Sequence, residues 1–353
     1  MRSLVFKKKI WEVAMETMKN AVLRCITWVA FLGGISLVPS VCGAVTLNFA
    51  TAYGADNFQT RNLQVYADEL EKATSGKVVL KVHPAGSLLK PAKIFSGVRE
   101  GEAEGGEVIM SSLSRLDPMF GMDALPFIVS GYADARRMWK ISRPLIEKVM
   151  KKQGLVLLYA VPWPPQNLYS RVPIESFESF KGMRMRTYNP ATNRIAQLVH
   201  AKPMKIEVVN LQKAIADGEL DMMITSSWTG VEVQAWSTLR YYYRVSAWIP
   251  KNMVFVRQKV FDALDNESRQ QMMRLAQEAE DRGWRMSQNS DEGYENQLAA
   301  HKVNVATMEF FNREYLDRIG ETLAREWLKR AGPAELKVLL QYTTNRSFEQ
   351  AAK

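Results

Sequence analysis

Strand patterns and helix patterns alternate along the first half of the chain, and this alternation limits the fold more than any other feature. Val45 to Ala50 is an apolar strand pattern, Thr60 to Ala73 has helical spacing, and Lys77 to His83 alternates apolar and polar residues. Ala133 to Lys152 and Leu155 to Pro162 repeat the helix and the buried strand. This order predicts an α/β fold with a mainly parallel sheet and helices on both faces.

The length of the chain predicts two domains. Beyond residue 44 the chain has 353 − 44 = 309 residues, more than one domain usually holds. A second α/β unit begins near Gln166 and has strand patterns at Met183–Arg186 and Asp221–Thr225, after which Met253–Arg257 returns to the first unit. We therefore predict domain I at 45–165 plus about 252–285, and domain II at 166–251 plus about 286–353.

One long helical pattern dominates the last third of the chain. It runs from Asn266 to about Val303 without a proline, and its only glycines are Gly283 and Gly293. At 1.5 Å per residue such a helix would reach about 50 Å, enough to cross both units. The alternative is a break near one of the two glycines, because helices in globular proteins usually end within about 20 residues.

Residues 1–44 have the pattern of a secretory leader. A basic stretch precedes the apolar run Cys25–Val38, and small residues follow it, so we expect cleavage after Ala44. A start at Met18 is an alternative, as are an uncleaved anchor and a lipoprotein signal at Cys42. The apolar run is short for a membrane span, which needs about 20 residues. The expected location is the periplasm.

Charge and cysteine content exclude several classes of protein. Residues 1–44 hold six Lys or Arg and two Asp or Glu, so the net charge of +10 falls to 41 − 35 = +6 after cleavage. This excess is spread out, whereas nucleic-acid binding needs clustered positive charge. Both cysteines, Cys25 and Cys42, lie in the leader, which leaves no disulfide, thiolate metal site or cysteine nucleophile in the mature chain.

Residues typical of catalysis are missing from the sequence. His83, His200 and His301 lack the spacing of metal ligands, and there is no Gly-x-Ser-x-Gly elbow, phosphate loop or dinucleotide fingerprint. We therefore expect neither a metal nor a cofactor, and we predict a binding protein rather than an enzyme.

The stretch from Glu178 to Gly218 carries the strongest indication of a ligand. Its basic strand holds Arg184 and Arg186, two residues apart and so on one face. An arginine at the end of a strand, before the turn at Asn189-Pro190, is well placed to bind a carboxylate through two parallel hydrogen bonds. The alternative is that both arginines are solvated on an edge strand.

Several short blocks span most of residues 45–260. The most specific is Phe180-Lys-Gly-Met-Arg-Met-Arg186, and the others are Leu47–Tyr53, Ala73–Val78, Val82–Leu88, Val98–Gly101, Leu125–Phe127 and Ala214–Asp221. In their order and spacing these blocks resemble the periplasmic solute-binding subunit of tripartite ATP-independent periplasmic (TRAP) transporters, the DctP-like family. The resemblance implies two α/β domains with crossing strands and a long helix, which close on a ligand like a flytrap. It also implies a monomeric receptor that delivers a small organic anion to TRAP membrane subunits.

The resemblance also implies the ligand-binding residues. Arg186 corresponds to the arginine that clamps the ligand's carboxylate. Thr225 stands where the family commonly has an asparagine, and Asn210 begins a block that differs from the family's "E-L-Y". Gln166 is the nearest position to a second arginine that sialic-acid binders have, and its replacement disfavours sialic acid as the ligand. Trp228 would stack on a ring, close an aliphatic pocket or be structural. The resemblance places further residues at the cleft mouth: Tyr53, Phe58, Ser111, Phe127 and Trp163.

Three other functions remain open from the sequence. The first is a receptor for an ATP-driven importer or a sensor kinase, the second is an enzyme on the same fold, and the third is a structural surface protein. The absence of histidine, cysteine and metal constellations disfavours the enzyme.

Overall fold

The computed structural model describes residues 44–308 and 310–351. The predicted leader, its cleavage site and both cysteines therefore lie outside the described residues. Within the described ranges, no helix combines the length and the apolar character that a membrane crossing requires.

The strands form two sheets. In chain order they are β1 (Val45–Ala50), β2 (Val78–His83), β3 (Gly105–Ile109), β4 (Leu155–Pro162), β5 (Asn167–Ser170), β6 (Arg184–Thr187), β7 (Lys202–Lys205), β8 (Met222–Thr225), β9 (Tyr241–Arg244), β10 (Lys251–Arg257) and β11 (Asn304–Thr307). The first sheet has the order β2-β1-β3-β10-β4, and the second has the order β11-β9-β5-β8-β6-β7. The predicted α/β class is confirmed.

Both sheets are mixed but mainly parallel, as predicted, because in the described chain only β10 in the first sheet and β5 in the second run against the other strands. In the first sheet β1 is parallel to β2 and β3, but β10 is antiparallel to both β3 and β4. In the second sheet β5 is antiparallel to β8 and β9, whereas β6 is parallel to β7 and β8. The antiparallel strands arise because the chain crosses between the sheets and enters each one from the other side.

Helices pack on the two sheets. They are α1 (Phe58–Ala73), α2 (Ile94–Glu100), α3 (Tyr132–Lys152), α4 (Pro190–Leu198), α5 (Val208–Ala216), α6 (Ser227–Glu232), α7 (Gln258–Ala263), α8 (Asn266–Ala300), α9 (Phe310–Leu328) and α10 (Pro333–Ala351). Several begin at side-chain caps, such as Asn57 and Asn189, whose oxygens accept from Gln59 N and Thr192 N. We call the first sheet with α1–α3 the first lobe and the second sheet with α4–α6 the second lobe.

Two chain segments cross between the lobes and pair with each other. Gln166 N donates to Trp248 O, and Ala247 N donates to Gln166 O, both at 2.9 Å. At the end of the crossing, Lys251 N donates to Asp123 Oδ2 at 2.8 Å, and the Lys251 ammonium lies 3.4 Å from the same oxygen. This buried ion pair fixes the start of β10. The exact domain boundaries remain a prediction.

Helix α8 is continuous over 35 residues, so the predicted alternative of a break at a glycine is wrong. Close packing explains the glycine at position 283, because a Cβ there would lie 2.3 Å from Val161 Cγ2. The helix contacts both lobes. Its Ala279 O accepts from Asn62 Nδ2 at 2.9 Å, and its Asp291 Oδ1 accepts from Ser227 Oγ at 2.6 Å.

Candidate functional site

A cavity of about 360 Å³ lies between the two lobes. The first lobe and its loops contribute Tyr53 and Glu107, and the second contributes Arg186, Asn189 and Thr225. Tyr53 and Asn189 follow strands and Thr225 ends one, and ligands bind beyond the ends of strands in open α/β sheets. Arg186 and Glu107, two buried ionisable groups of opposite charge, define the chemistry of the cavity.

Arg186 is a buried arginine without a carboxylate partner in the described chain. It is 4% exposed, and only its Nε is engaged, donating to Ile206 O at 3.2 Å. Burial lowers the pKa of Arg186, whereas Tyr188, Tyr53 and Glu207 oppose this shift. Arginine nevertheless stays protonated in proteins. Its two terminal nitrogens therefore present unpaired donors to the cavity, in the fork that matches a carboxylate.

Tyr188 lies beside this guanidinium and is held by Gln166. The guanidinium carbon is 4.9 Å from the centre of the Tyr188 ring, a cation–π distance. The Tyr188 hydroxyl donates to Gln166 Oε1 at 3.2 Å, and Gln166 Nε2 donates to Pro164 O at 2.9 Å. Because both ends of its amide are engaged, Gln166 positions Tyr188 and, through it, Arg186.

Glu107 is a buried carboxyl group on the opposite side of the cavity. Oε2 accepts from the Thr51 hydroxyl at 2.5 Å, and Oε1 accepts from Asn252 Nδ2 at 3.0 Å. Burial raises the pKa of Glu107, and the two hydrogen bonds partly offset this shift. A short bond of 2.5 Å is typical of a hydroxyl that donates to a carboxylate.

Asn252 connects Glu107 to two aromatic side chains of the lining. Its Oδ1 accepts from Trp163 Nε1 at 2.8 Å and from the Tyr53 hydroxyl at 3.3 Å. The two rings also contact each other, with their centres 5.0 Å apart. This network orients Tyr53 and Trp163 along the cavity wall.

Five of the predicted site residues line the cavity: Arg186, Gln166, Thr225, Tyr53 and Trp163. Thr225 ends β8, is 4% exposed and has a hydroxyl without a hydrogen bond to the described chain. The structure places Arg184, the neighbouring arginine, elsewhere. It pairs with Asp221 through two hydrogen bonds of 3.0 and 2.7 Å, and its strand is not at the sheet edge. The alternative of two solvated arginines on an edge strand is therefore wrong.

The other five predicted residues do not line the cavity, and for Trp228 this agrees with the structural alternative. Phe58 packs against Trp163, with the ring centres 5.2 Å apart. Trp228 packs on Phe58, with the ring centres 5.0 Å apart. The Ser111 hydroxyl accepts from Asn189 Nδ2 at 2.9 Å and so links the lobes.

Phe127 and Asn210 are the remaining two. Phe127 lies in an apolar cluster under α9, where a Cβ on Gly320 would be 2.9 Å from its ring. Asn210 is on the exposed face of α5, and the cavity is lined by Glu207 and Val208 from the start of this helix.

Sequence reasoning missed Glu107, Tyr188 and Asn189 as site residues. Glu107 had one signal, since it is the sole charged residue of the buried strand Gly105–Ile109. Tyr188 and Asn189 follow the arginine strand directly, and Asn189 caps α4. In the described part of the chain, no group of three or more His, Cys, Asp or Glu side chains is placed to hold a metal ion.

A family model supplies the identification. Residues 49–330 match the model of the bacterial extracellular solute-binding protein family 7, DctP, which is most of the chain. The chain belongs to this family. Family 7 proteins are extracytoplasmic solute-binding receptors, and the two-lobed α/β architecture described above is their fold.

Solved family 7 structures are similar over almost their whole length. DctP6 and DctP7 of Bordetella pertussis are extracytoplasmic solute receptors that bind pyroglutamic acid. They are 31% and 33% identical to this chain, each with a TM-score of 0.83. Each match covers 85% of this chain and 100% of the other. The 2,3-diketo-L-gulonate-binding periplasmic protein YiaO of Escherichia coli is 25% identical over 73% of this chain and 80% of its own.

Proposed function

We propose that this protein is a periplasmic receptor that binds a small organic acid and delivers it to TRAP membrane subunits. The observation that supports this most is Arg186, a buried guanidinium in a cavity between two lobes, with two unpaired donor nitrogens. A carboxylate fits this fork through two parallel charge-assisted hydrogen bonds. Closure of the lobes removes water and strengthens the pair, because Coulomb attraction grows as the local dielectric falls.

Pyroglutamate is the first ligand to test. DctP6 and DctP7 bind it, and each matches nearly all of the mature part of this chain. A cavity of about 360 Å³ is at the small end for organic ligands, which suits an acid of this size. Tyr53 and Trp163 offer apolar surface for a ring, and the free Thr225 hydroxyl offers a further polar contact.

The same features favour a binding protein over an enzyme. The cavity of the described chain holds no pair of nucleophile and base, since its ionisable groups are an arginine, two carboxyl groups, two tyrosines and the mouth residues Arg115 and Lys205. A bound acid would therefore be released without chemical change.

Two measurements test the proposal. Denaturing mass spectrometry of freshly purified protein identifies a co-purified acid, and a thermal-shift screen of carboxylic acids should raise the melting temperature for the cognate one by mass action. Uptake into vesicles that carry the TRAP membrane subunits should then require the receptor but no ATP. A screen in which no organic acid shifts the melting temperature, or uptake that depends on ATP hydrolysis, contradicts it.

A further inference from the structure

Glu107 and Arg186 carry opposite charges and line the same cavity. In the described chain, Glu107 has no cation as an ion-pair partner and Arg186 has no carboxylate. Glu107 is 1% exposed, and no cation of the described residues pairs with it. An isolated ionised carboxylate is costly to bury unless hydrogen-bond donors compensate it. Two donors, Thr51 and Asn252, satisfy only half of its acceptor capacity, which is about four sites.

The hydrogen-bond network fixes Glu107 as an acceptor. The Trp163 indole N–H can only donate, so Asn252 must turn its Oδ1 to Trp163 and its Nδ2 to Glu107. Glu107 Oε1 thus accepts from an amide and cannot present a proton to it. The Thr51 hydroxyl donates to the other carboxyl oxygen at 2.5 Å, so both hydrogen bonds favour the carboxylate form and oppose the rise in pKa that burial causes.

A ligand complementary to this cavity has a negative end and a donor end. Its carboxylate meets Arg186, and a group that donates a hydrogen bond meets Glu107. A second carboxylate at the Glu107 end would place like charges together in a dry site. A plain ether or ester oxygen there would leave Glu107 facing an acceptor.

We propose that Glu107 is a specificity-determining residue that accepts a hydrogen bond from an N–H of the bound acid. The cavity therefore selects acids that carry such an N–H, as a lactam or an amino acid does, over dicarboxylates. This inference rests on the proposed function, because it assumes that the acid's carboxylate binds Arg186.

Matched ligands test this without changing the protein. L-Pyroglutamate and 5-oxotetrahydrofuran-2-carboxylate differ only in that a ring oxygen replaces the neutral N–H. L-Proline and tetrahydrofuran-2-carboxylate differ in that a ring oxygen replaces a positively charged NH2+ group. In isothermal titration calorimetry the nitrogen member of the better-bound pair should bind roughly 10-fold to 100-fold more tightly, as expected for a hydrogen bond to a charged group.

A variant then assigns the preference to Glu107. In Glu107→Gln the preference should fall to within about threefold, because the amide has a single acceptor oxygen, to which Asn252 already donates. The control is Glu104→Gln, which removes a carboxylate that accepts from Asn48 outside the cavity lining and should retain the full preference.

The outcomes separate the two proposals. Carboxylates that bind without any preference for the nitrogen member, or that bind only when they lack nitrogen, overturn the role of Glu107 and leave the receptor function intact. A protein that binds no organic acid overturns both. If Glu107→Gln does not fold, the comparison of matched acids on the unaltered protein still decides the matter.

Discussion

Asn252 Oδ1 accepts a 2.8 Å hydrogen bond from Trp163 Nε1, and this bond fixes which end of the amide faces Glu107. The relationship predicts the effect of Asn252→Asp. The new carboxylate would keep the bond to Trp163 but place an oxygen about 3 Å from Glu107 Oε1, where two buried carboxylates cannot both ionise.

The Asn252→Asp protein should therefore hold an extra proton in the folded state. Its folded-state carboxyl pKa is raised above the unfolded value, so the destabilisation is greatest at pH 7–8 and shrinks as the pH falls toward the unfolded pKa of about 4. A shift of roughly 2 units corresponds to about 3 kcal/mol at neutral pH. Urea unfolding from pH 5 to pH 8 measures this. The half-buried pair Asn48–Glu104 provides the control, since Asn48→Asp should cost less.

Removal of the Arg186 side chain should abolish tight ligand binding. Arg186→Ala is expected to cost about 2–5 kcal/mol of binding free energy, as other desolvated charge pairs do. Arg186→Lys should be intermediate, because lysine keeps the charge but not the planar fork. Calorimetry with the cognate acid provides the measurement.

The matched control is Arg184→Ala, two residues away on β6. Arg184 pairs with Asp221 and does not line the cavity, so this change should leave the affinity within about threefold. Equal losses in the two alanine variants would argue for a general effect of strand β6 and against a carboxylate clamp at Arg186.

Two glycines of α8 should respond in opposite ways to alanine. Gly283→Ala would place a Cβ 2.3 Å from Val161 Cγ2, and we expect a destabilisation of about 1–3 kcal/mol. Gly293→Ala meets no atom within 4 Å and should stabilise the helix by about 0.5–1 kcal/mol. Denaturant unfolding of the two variants side by side tests the pair, and a Gly283→Ala protein as stable as the parent would disprove the close packing.

Ligand binding should weaken in acid through Glu107. Burial raises the pKa of Glu107, and a ligand N–H that donates to its carboxylate would lower this pKa in the complex. The affinity should therefore fall as the pH drops through the raised pKa of Glu107 in the free protein. Arg186 stays charged throughout this pH range, so it does not contribute to the pH dependence of the affinity.

Titrations from pH 4.5 to pH 8 measure the effect. In Glu107→Gln the fall should move to lower pH, where the ligand's own carboxyl group protonates near pH 3.5. An unchanged pH profile in the variant would remove Glu107 from the explanation.

The strongly patterned elements could be predicted from the sequence, and the weakly patterned ones could not. Leu155–Pro162 is an apolar run of eight residues, almost all of them buried, and such a run predicts a strand that is covered on both faces. Lys202–Lys205 is a polar strand with a proline at the sheet edge, and Asn304–Thr307 is a short edge strand, so neither has a hydrophobic period to reveal it.

Prediction of the site was limited in the same physical way. Arg186 could be found because its strand, turn and helix are neighbours in sequence. Glu107 depends on Asn252, which is 145 residues away and reaches it only after β10 has joined the first sheet. Asn210 was placed wrongly because the sequence indicates where α5 begins but not which side of the helix faces the cavity.

Helix α8 is bonded to both lobes over a short stretch of its length. The Tyr132 hydroxyl of the first lobe lies 2.8 Å from Ser287 Oγ, and the Ser227 hydroxyl of the second lobe donates to Asp291. Only three residues of the helix lie between Ser287 and Asp291. Three residues are less than one helical turn. Any opening of the two lobes would therefore have to bend this continuous helix within less than one turn.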